Sequence, residues 1–526
     1  MPIGRRSFLA SAVLMTGAFT AGRAASAPSD DRLVIGTKLD PTSLDPHYFN
    51  GAENRDAHPH IYDPLIAIGP DGELVPMLAA KWQVIDPTTW EFTLREGVSF
   101  HDGTPFTAAD VVFTIGRVPQ VRNSPSPLTP YVKSIVKAEA LSEHRLRLTT
   151  SQPNPFLLQD LTWIFIVPAK LGEGITTADF NSGRAAIGTG PYSLKEYVPS
   201  DHLAMTRNKI YWRGTPDWAE VVVRPIKSDA ARTSALLSGD IDMMNFPTAT
   251  DLSQLKAREG LAVMQKPGFR VMYMQMDQYR DDSPFVKGPN GENPLKDVRV
   301  RRALSLGVDR RAIVEKLLQG MGTPAGQMAV PTQFGASPSL TPPPYDPVKA
   351  RELLAEAGYA KGFKLTLHGT SDRYPGGDVV AQAVAQYFQR LGIEMTVALV
   401  PNAVFFPQTS KGAYSMTFSG YGSDDASVYL RTAIHSQNPE KGLGGSNRGR
   451  YVNPKVDRLI EEAQVEMDDR KRAELLGAAF TIAEGEDVAV ISLYYPTYDW
   501  VARTDRVRYQ PHISGFTWAM LAKPAK

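Results

Sequence analysis

Three charged side chains stand where apolar runs give way to polar loops. The run ending Phe418-Ser419-Gly420-Tyr421-Gly422-Ser423 delivers two adjacent carboxylates, Asp424 and Asp425. A second run, Phe363 to His368, leads into Gly369-Thr370-Ser371-Asp372-Arg373-Tyr374-Pro375-Gly376-Gly377, which presents a guanidinium. Carboxylates pair with an ammonium, and an arginine forks onto a carboxylate, so the set suits a zwitterion. Each residue also has a plainer reading. Arg373 is equally a solvated loop charge. Asp425 fits the N-cap of a helix over 426–432 better than Asp424 does. Tyr421 is either a platform for a ligand or core packing.

The elements that must position these groups are legible from periodicity. Phe363, Leu365 and Leu367 alternate as a strand. Val380, Val384, Tyr387, Phe388 and Leu391 share one helical face, and Gly392 ends that helix. Ile393, Met395, Val397 and Leu399 alternate again, so the two strands should be parallel with a right-handed crossover. Tyr414, Met416 and Phe418 form another strand, and a strand is expected over Val488 to Tyr495. Both charged loops then leave the carboxyl edge of one sheet, where α/β proteins bind ligands. Asp346-Pro347 opens a helix that Gly358 closes, and Asn453-Pro454 opens another. Nearer the amino terminus the texture is β-rich. Trp90, Phe92 and Leu94 alternate, as do Val98 and Phe100, and Thr107 with Asp110 forms a capping-box pattern.

Other chemistry leaves little trace. There is no His-Glu-x-x-His, no Gly-x-Ser-x-Gly and no Walker loop. His58-Pro59-His60 lacks a third metal ligand nearby and reads as a surface turn. Asn447-Arg448-Gly449-Arg450 is a solvated turn or an anion site, the former preferred. Cys is absent, which excludes thiol catalysis, disulfides and a lipid-anchoring cysteine. A net charge of +1 without a basic stripe leaves no footprint for nucleic acid. The 526 residues suggest about three domains or subdomains.

The first 27 residues read as a cleavable export signal. Arg5 and Arg6 precede a short apolar stretch, Phe8 to Ala21, and small residues follow. Arg5-Arg6-Ser7-Phe8-Leu9 resembles the twin-arginine motif, with Sec export as the alternative and cleavage after Ala24 or Ser26. Loss of three arginines leaves the mature chain slightly acidic.

Five blocks carry a resemblance to a known family: 63–115 (DPLIAIGPDGELVPMLAAKWQV, then WEFTLREGVSFHDGTPFTAADVVFTI), 188–212 (GTGPYSLKEY with TRNKIYW), 236–244 (LLSGDIDMM), 294–318 (PLKDVRVRRALSLGVDRRAIVEKLL) and 451–463 (YVNPKVDRLIEEA). The chain resembles the large extracellular solute-binding proteins of ABC importers, the peptide, nickel and opine type. The resemblance implies an α/β fold, a two-lobed periplasmic-binding-protein clamshell with an extra β-rich subdomain in the first lobe. Lobe I would hold 31–270 plus 490–526, with the subdomain at about 55–180, and lobe II 271–489. It implies a monomeric periplasmic protein without cofactor or catalysis, which captures a peptide or peptide-like solute between the lobes and delivers it to a permease with its ATPase subunits. Asp424 matches the position that holds a peptide ammonium in dipeptide-binding relatives, and Arg373 lies near the position that holds the carboxylate. Where the family has Asp-Pro-Asp, this chain has Ala426-Ser427-Val428-Tyr429. An opine, sugar conjugate or other polar solute is therefore the alternative, and an exported hydrolase the remote one.

Overall fold

A computed structural model of the chain describes residues 31–49, 51–124, 127–371 and 373–525. Residues 1–27, where an export signal is expected, and Asp372 lie outside the described residues. Most strands belong to one large curled sheet that serves two lobes. In the first lobe the order is Tyr192–Val198, His202–Arg207, Glu220–Pro225, Arg32–Thr37 and Met243–Asn245. In the second it is Arg270–Met276, Met416–Gly422 and Lys364–Thr370, with Glu394–Val400 and Val286–Lys287 also pairing with Lys364–Thr370.

Val490–Arg503 is common to both lobes. Its 497–503 end pairs with Leu261–Pro267, and its 490–494 end pairs with Arg270–Met276 after a register shift at Met272/Tyr273. Gly268 joins these two partner strands. A Cβ there would lie 2.1 Å from the Tyr498 ring, so the close approach of backbone to ring requires glycine.

The second lobe follows its periodicities. Met272, Met274 and Met276 enter a core with Leu367, Met416 and Phe418, whereas Val271 and Tyr273 join Tyr429 and Phe480 on the opposite face. A sheet buried on both faces needs such apolar runs. Lys364–Thr370 and Glu394–Val400 are parallel and are joined by the helix Gly377–Gln389, which buries Val380, Val384 and Phe388. Asp346 caps the helix Pro347–Glu356 by accepting from Lys349 N at 2.9 Å, and Gly358 follows it with φ +92°.

The β-rich unit is a four-stranded antiparallel sheet, Ala79–Asp86, Thr89–Leu94, Arg145–Thr150 and Ile135–Ser142. Trp90, Phe92, Leu94, Leu146 and Leu148 cluster with Val111 and Ile115 of the helix Ala108–Arg117. The Thr107–Asp110 capping box opens that helix. Val98 and Phe100 are buried as their alternation suggests, but they lie in a turn region, with only an isolated bridge between Ser99 and Pro105. Core packing satisfies this short apolar alternation without a ladder.

His58 and His60 are not in a surface turn. They are buried in the helix Ala52–Ile61, where His58 Nε2 donates to Ser43 O at 2.9 Å and His60 Nε2 accepts from Ala519 N at 2.9 Å. Close by, Arg117 and Asp45 form a buried two-pronged ion pair at 2.9 and 2.7 Å, and Arg117 also donates to His47 Nδ1 at 2.7 Å.

Two outcomes follow from these buried charges. Arg117→Ala leaves Asp45 without its counter-charge and should cost about 3–5 kcal/mol in urea unfolding; a loss below about 1 kcal/mol would show that the pair is not structurally important. The second concerns Glu484, which accepts from Met328 N and Ser492 Oγ at 2.8 Å each; burial pushes its carboxyl up to about 8. Its folded-state value exceeds the unfolded one, so its contribution to stability is complete below about pH 4.5 and is lost as pH rises through about 8. Glu484→Gln should flatten stability across that window and raise the melting temperature at pH 8.5. An unchanged profile would contradict the burial effect.

Candidate functional site

The Met416–Gly422 and Lys364–Thr370 strands are parallel neighbours, with Leu367 opposite Met416 and His368 opposite Thr417. Their carboxyl ends therefore open on one edge. The first strand starts and ends later than its alternation suggests, because Arg270 and Val271 pair with Gly422 and Tyr421 and draw both residues into the ladder. Tyr421 is half-buried. Its hydroxyl accepts from Thr432 Oγ1 at 2.9 Å, and its ring meets Tyr429 edge-on at 5.7 Å.

The two acids have different surroundings. Asp425 is the N-cap of Ala426–Tyr429 and accepts from Ser427 N at 2.8 Å and Ser427 Oγ at 2.7 Å. Asp424 is half-buried. Burial raises its carboxyl pKa, the guanidinium of Arg55 opposes that rise, and the neighbouring Asp425 adds to it.

Arg55 comes from the first lobe, on the helix Ala52–Ile61, and is only 8% exposed. Its guanidinium carbon lies 3.8 Å from the Trp163 ring centre and 4.8 Å from that of Phe516. Trp163 in turn stacks on Tyr131 at 5.0 Å. Burial lowers the Arg55 pKa, and the charge of Asp424 raises it.

Asp160, also from the first lobe, faces the same acids. Its carboxyl rises to about 7, first through burial, with Arg431 and the Asn154 amide at 3.3 Å lowering it and Asp425 and Asp424 raising it. Carboxylates and guanidinium groups from both lobes therefore lie within electrostatic reach of one another. Such an array is chemically suited to the charged ends of a polar solute.

Arg373 follows the Lys364–Thr370 strand at this edge. It is exposed, 5.3 Å from the Phe406 ring and 5.7 Å from that of Tyr374, whose hydroxyl donates to Gly420 O at 3.1 Å. Arg448 approaches the same Phe406 ring at 4.9 Å. The 447–450 stretch is not simply a solvated turn. Asn447 is buried, donating to Ile434 O, His435 O and Tyr451 O, and Gly449 lies too close to Met276 for a Cβ. The cation that acts on Asp424 is thus Arg55, which sequence reasoning missed. Its signal was weak: an arginine among the inward positions Asn54, Ala57, His58 and Ile61 of a short helix.

The fold is thus two-lobed α/β, with charged side chains from both lobes brought together. Residues 73–441 match the family described as bacterial extracellular solute-binding proteins, family 5 Middle, and the chain belongs to that family. It is 29% identical over 489 residues to the probable D,D-dipeptide-binding periplasmic protein DdpA of Escherichia coli K12, covering 89% of each chain. It is 28% identical over 482 residues to the glutathione-binding protein GsiB of Escherichia coli O1:K1, covering 89% of this chain and 90% of that one. Its fold is similar to that of the ABC transporter substrate binding protein CtaP of Listeria monocytogenes, with a TM-score of 0.80, 23% identity and coverage of 94% and 99%.

The charge array yields its own outcome. In a carboxyl NMR titration, Asp424→Asn should lower the Asp160 pKa by removing a like charge, whereas Arg431→Met should raise it. If neither variant moves Asp160, the two lobes are not in the mutual position described.

Proposed function

We propose that the chain is the periplasmic solute-binding component of an ABC import system, capturing a peptide or peptide-like solute in the interlobe cleft and handing it to a membrane permease. The observation that carries this is that Asp424 of the second lobe and Arg55 of the first act on each other's charge, with Asp160 and Arg431 also within electrostatic reach and Trp163 and Phe516 against the guanidinium. A ligand that contacts both lobes shifts the population towards the closed form, and capture needs no covalent step. The lobes correspond to 31–270 plus 490–526 and to 271–489, with the β-rich subdomain at about 55–180. The crossing strands Leu261–Pro267, Arg270–Met276 and Val490–Arg503 support that division. Export through the amino-terminal signal supplies the periplasmic location, and the protein acts as a monomer without catalysis.

Within the site Asp424 holds the ammonium, and Tyr421 and Arg373 lie at the same strand edge. Asp425, occupied as an N-cap, shapes the loop and tunes its neighbour's charge. Ala426-Ser427-Val428-Tyr429 in place of the family's Asp-Pro-Asp favours a second reading, in which the solute is an opine, a sugar conjugate or another amphoteric compound.

Native mass spectrometry of solute retained on purification identifies the class directly, and calorimetry then measures it. Asp424→Ala should weaken binding of an ammonium-bearing solute by about 3–5 kcal/mol with the fold intact. Unchanged affinity removes Asp424 from the site, and turnover of added peptide replaces this reading with a hydrolase.

A further inference from the structure

Arg55 has more hydrogen-bonding capacity than the chain uses. Its Nε and Nη1 are buried and have no hydrogen-bond partner among the described residues. The rings of Trp163 and Phe516 attract the cation but offer no conventional acceptor to these N–H groups. An unmade bond at a buried charged donor is costly, so a water or a solute group is expected to fill it in the working state.

The space beside it is suited to an acceptor. A cavity of about 40 Å³ is lined by Arg55, Asp63, Thr162, His512, Phe516 and Trp518. Trp518 contributes a third unpartnered buried donor, its Nε1. The strongest acceptors of the wall are already engaged by other donors. Asp63 Oδ1 takes the Tyr211 hydroxyl at 3.0 Å, and its Oδ2 takes Thr189 Oγ1 and Trp212 Nε1 at 2.9 Å each. His512 donates through Nε2 to Ile68 O and accepts at Nδ1 from Ser514 N, both at 3.1 Å. A water occupies about 10–15 Å³ on this measure, so the cavity admits a few waters or one small oxyanion head. A carboxylate is planar and accepts two parallel bonds from a guanidinium, which a neutral amide cannot match.

We propose that Arg55, assisted by Trp518 Nε1, is the oxyanion receptor of this protein: the solute's carboxylate docks on the first lobe here while its ammonium meets Asp424 on the second. The inference rests on the solute-binding reading above and moves the acid-holding role from Arg373 to Arg55. It also gives closure a physical cause, since one dipolar solute supplies a counter-ion to each lobe.

The test uses the full chain. A dipeptide panel is screened by thermal shift, and the tightest dipeptide is compared by calorimetry with its C-terminal amide and its N-acetyl derivative. The wild type should bind the amide roughly 100-fold more weakly than the acid. Arg55→Met should bind acid and amide alike while still rejecting the acetylated peptide. Trp518→Phe, which keeps a ring, should lose roughly tenfold for the acid alone. If Arg55→Met does not fold, Arg55→Lys serves instead, keeping the charge but losing the planar fork, and should retain only part of the preference. A folded Arg55→Met that still prefers the acid as strongly as wild type overturns the proposal and returns the role to Arg373. If no dipeptide shifts the wild type, the peptide reading fails, and acetate and phosphate are titrated against tryptophan fluorescence. A saturable response lost in Arg55→Met upholds the receptor, and no response in the wild type overturns it.

Discussion

One strand is common to both lobes, and the rest of the structure depends on it. Val490–Arg503 contributes its first residues to the second lobe's sheet and its last residues to the first lobe's. Each lobe closes its own cores around that strand. Met272, Met416 and Leu493 lie in one cluster, and Met243, Trp500 and Ala502 in another. Since apolar burial is the main favourable term in folding, most of the stability resides within the lobes. Their mutual orientation rests on the crossing segments and on the cleft. At the crossing, Gly268 and Gly515 both leave room for the Tyr498 ring, and the Tyr429 hydroxyl donates to the backbone oxygen of Phe269.

The cleft inherits its character from that arrangement. Charges placed on separate lobes pay for desolvation only when the lobes approach, and their attraction alone returns little of it. On the proposed reading, a solute with a complementary dipole would offset the remainder. Rigid walls serve the same end. Asp425 fixes the turn that carries Asp424, and two aromatic rings hold the Arg55 guanidinium.

What could be read from the sequence was local. The caps at Thr107, Asp346 and Asn453, and the parallel pairing of Lys364–Thr370 with Glu394–Val400, follow from side-chain chemistry and period within a few dozen residues. The preference for Asp425 over Asp424 as a helix cap belongs to the same class. What escaped was set by distant partners. The strand through Tyr421 and Gly422 is extended by residues near 270, and Arg55 meets an acid hundreds of positions further along. His58 and His60 read as a turn because Pro59 separates them, yet the helix accommodates that proline near its end and buries both rings. No periodicity reports a contact between one lobe's helix and the other lobe's loop.

Asp160 and Asp424 both retain a proton more tightly than ordinary carboxyl groups, Asp160 to about pH 7. Protons are therefore occupants of this cleft in their own right. On the reading proposed above, a purely cationic solute would enter against the raised proton affinity of these carboxyls, so acidity in the surroundings would compete with it. A solute that brought its own negative group to Arg55, as proposed, would be less exposed to that competition, and in acid medium such a cleft would discriminate between the two without any change of shape.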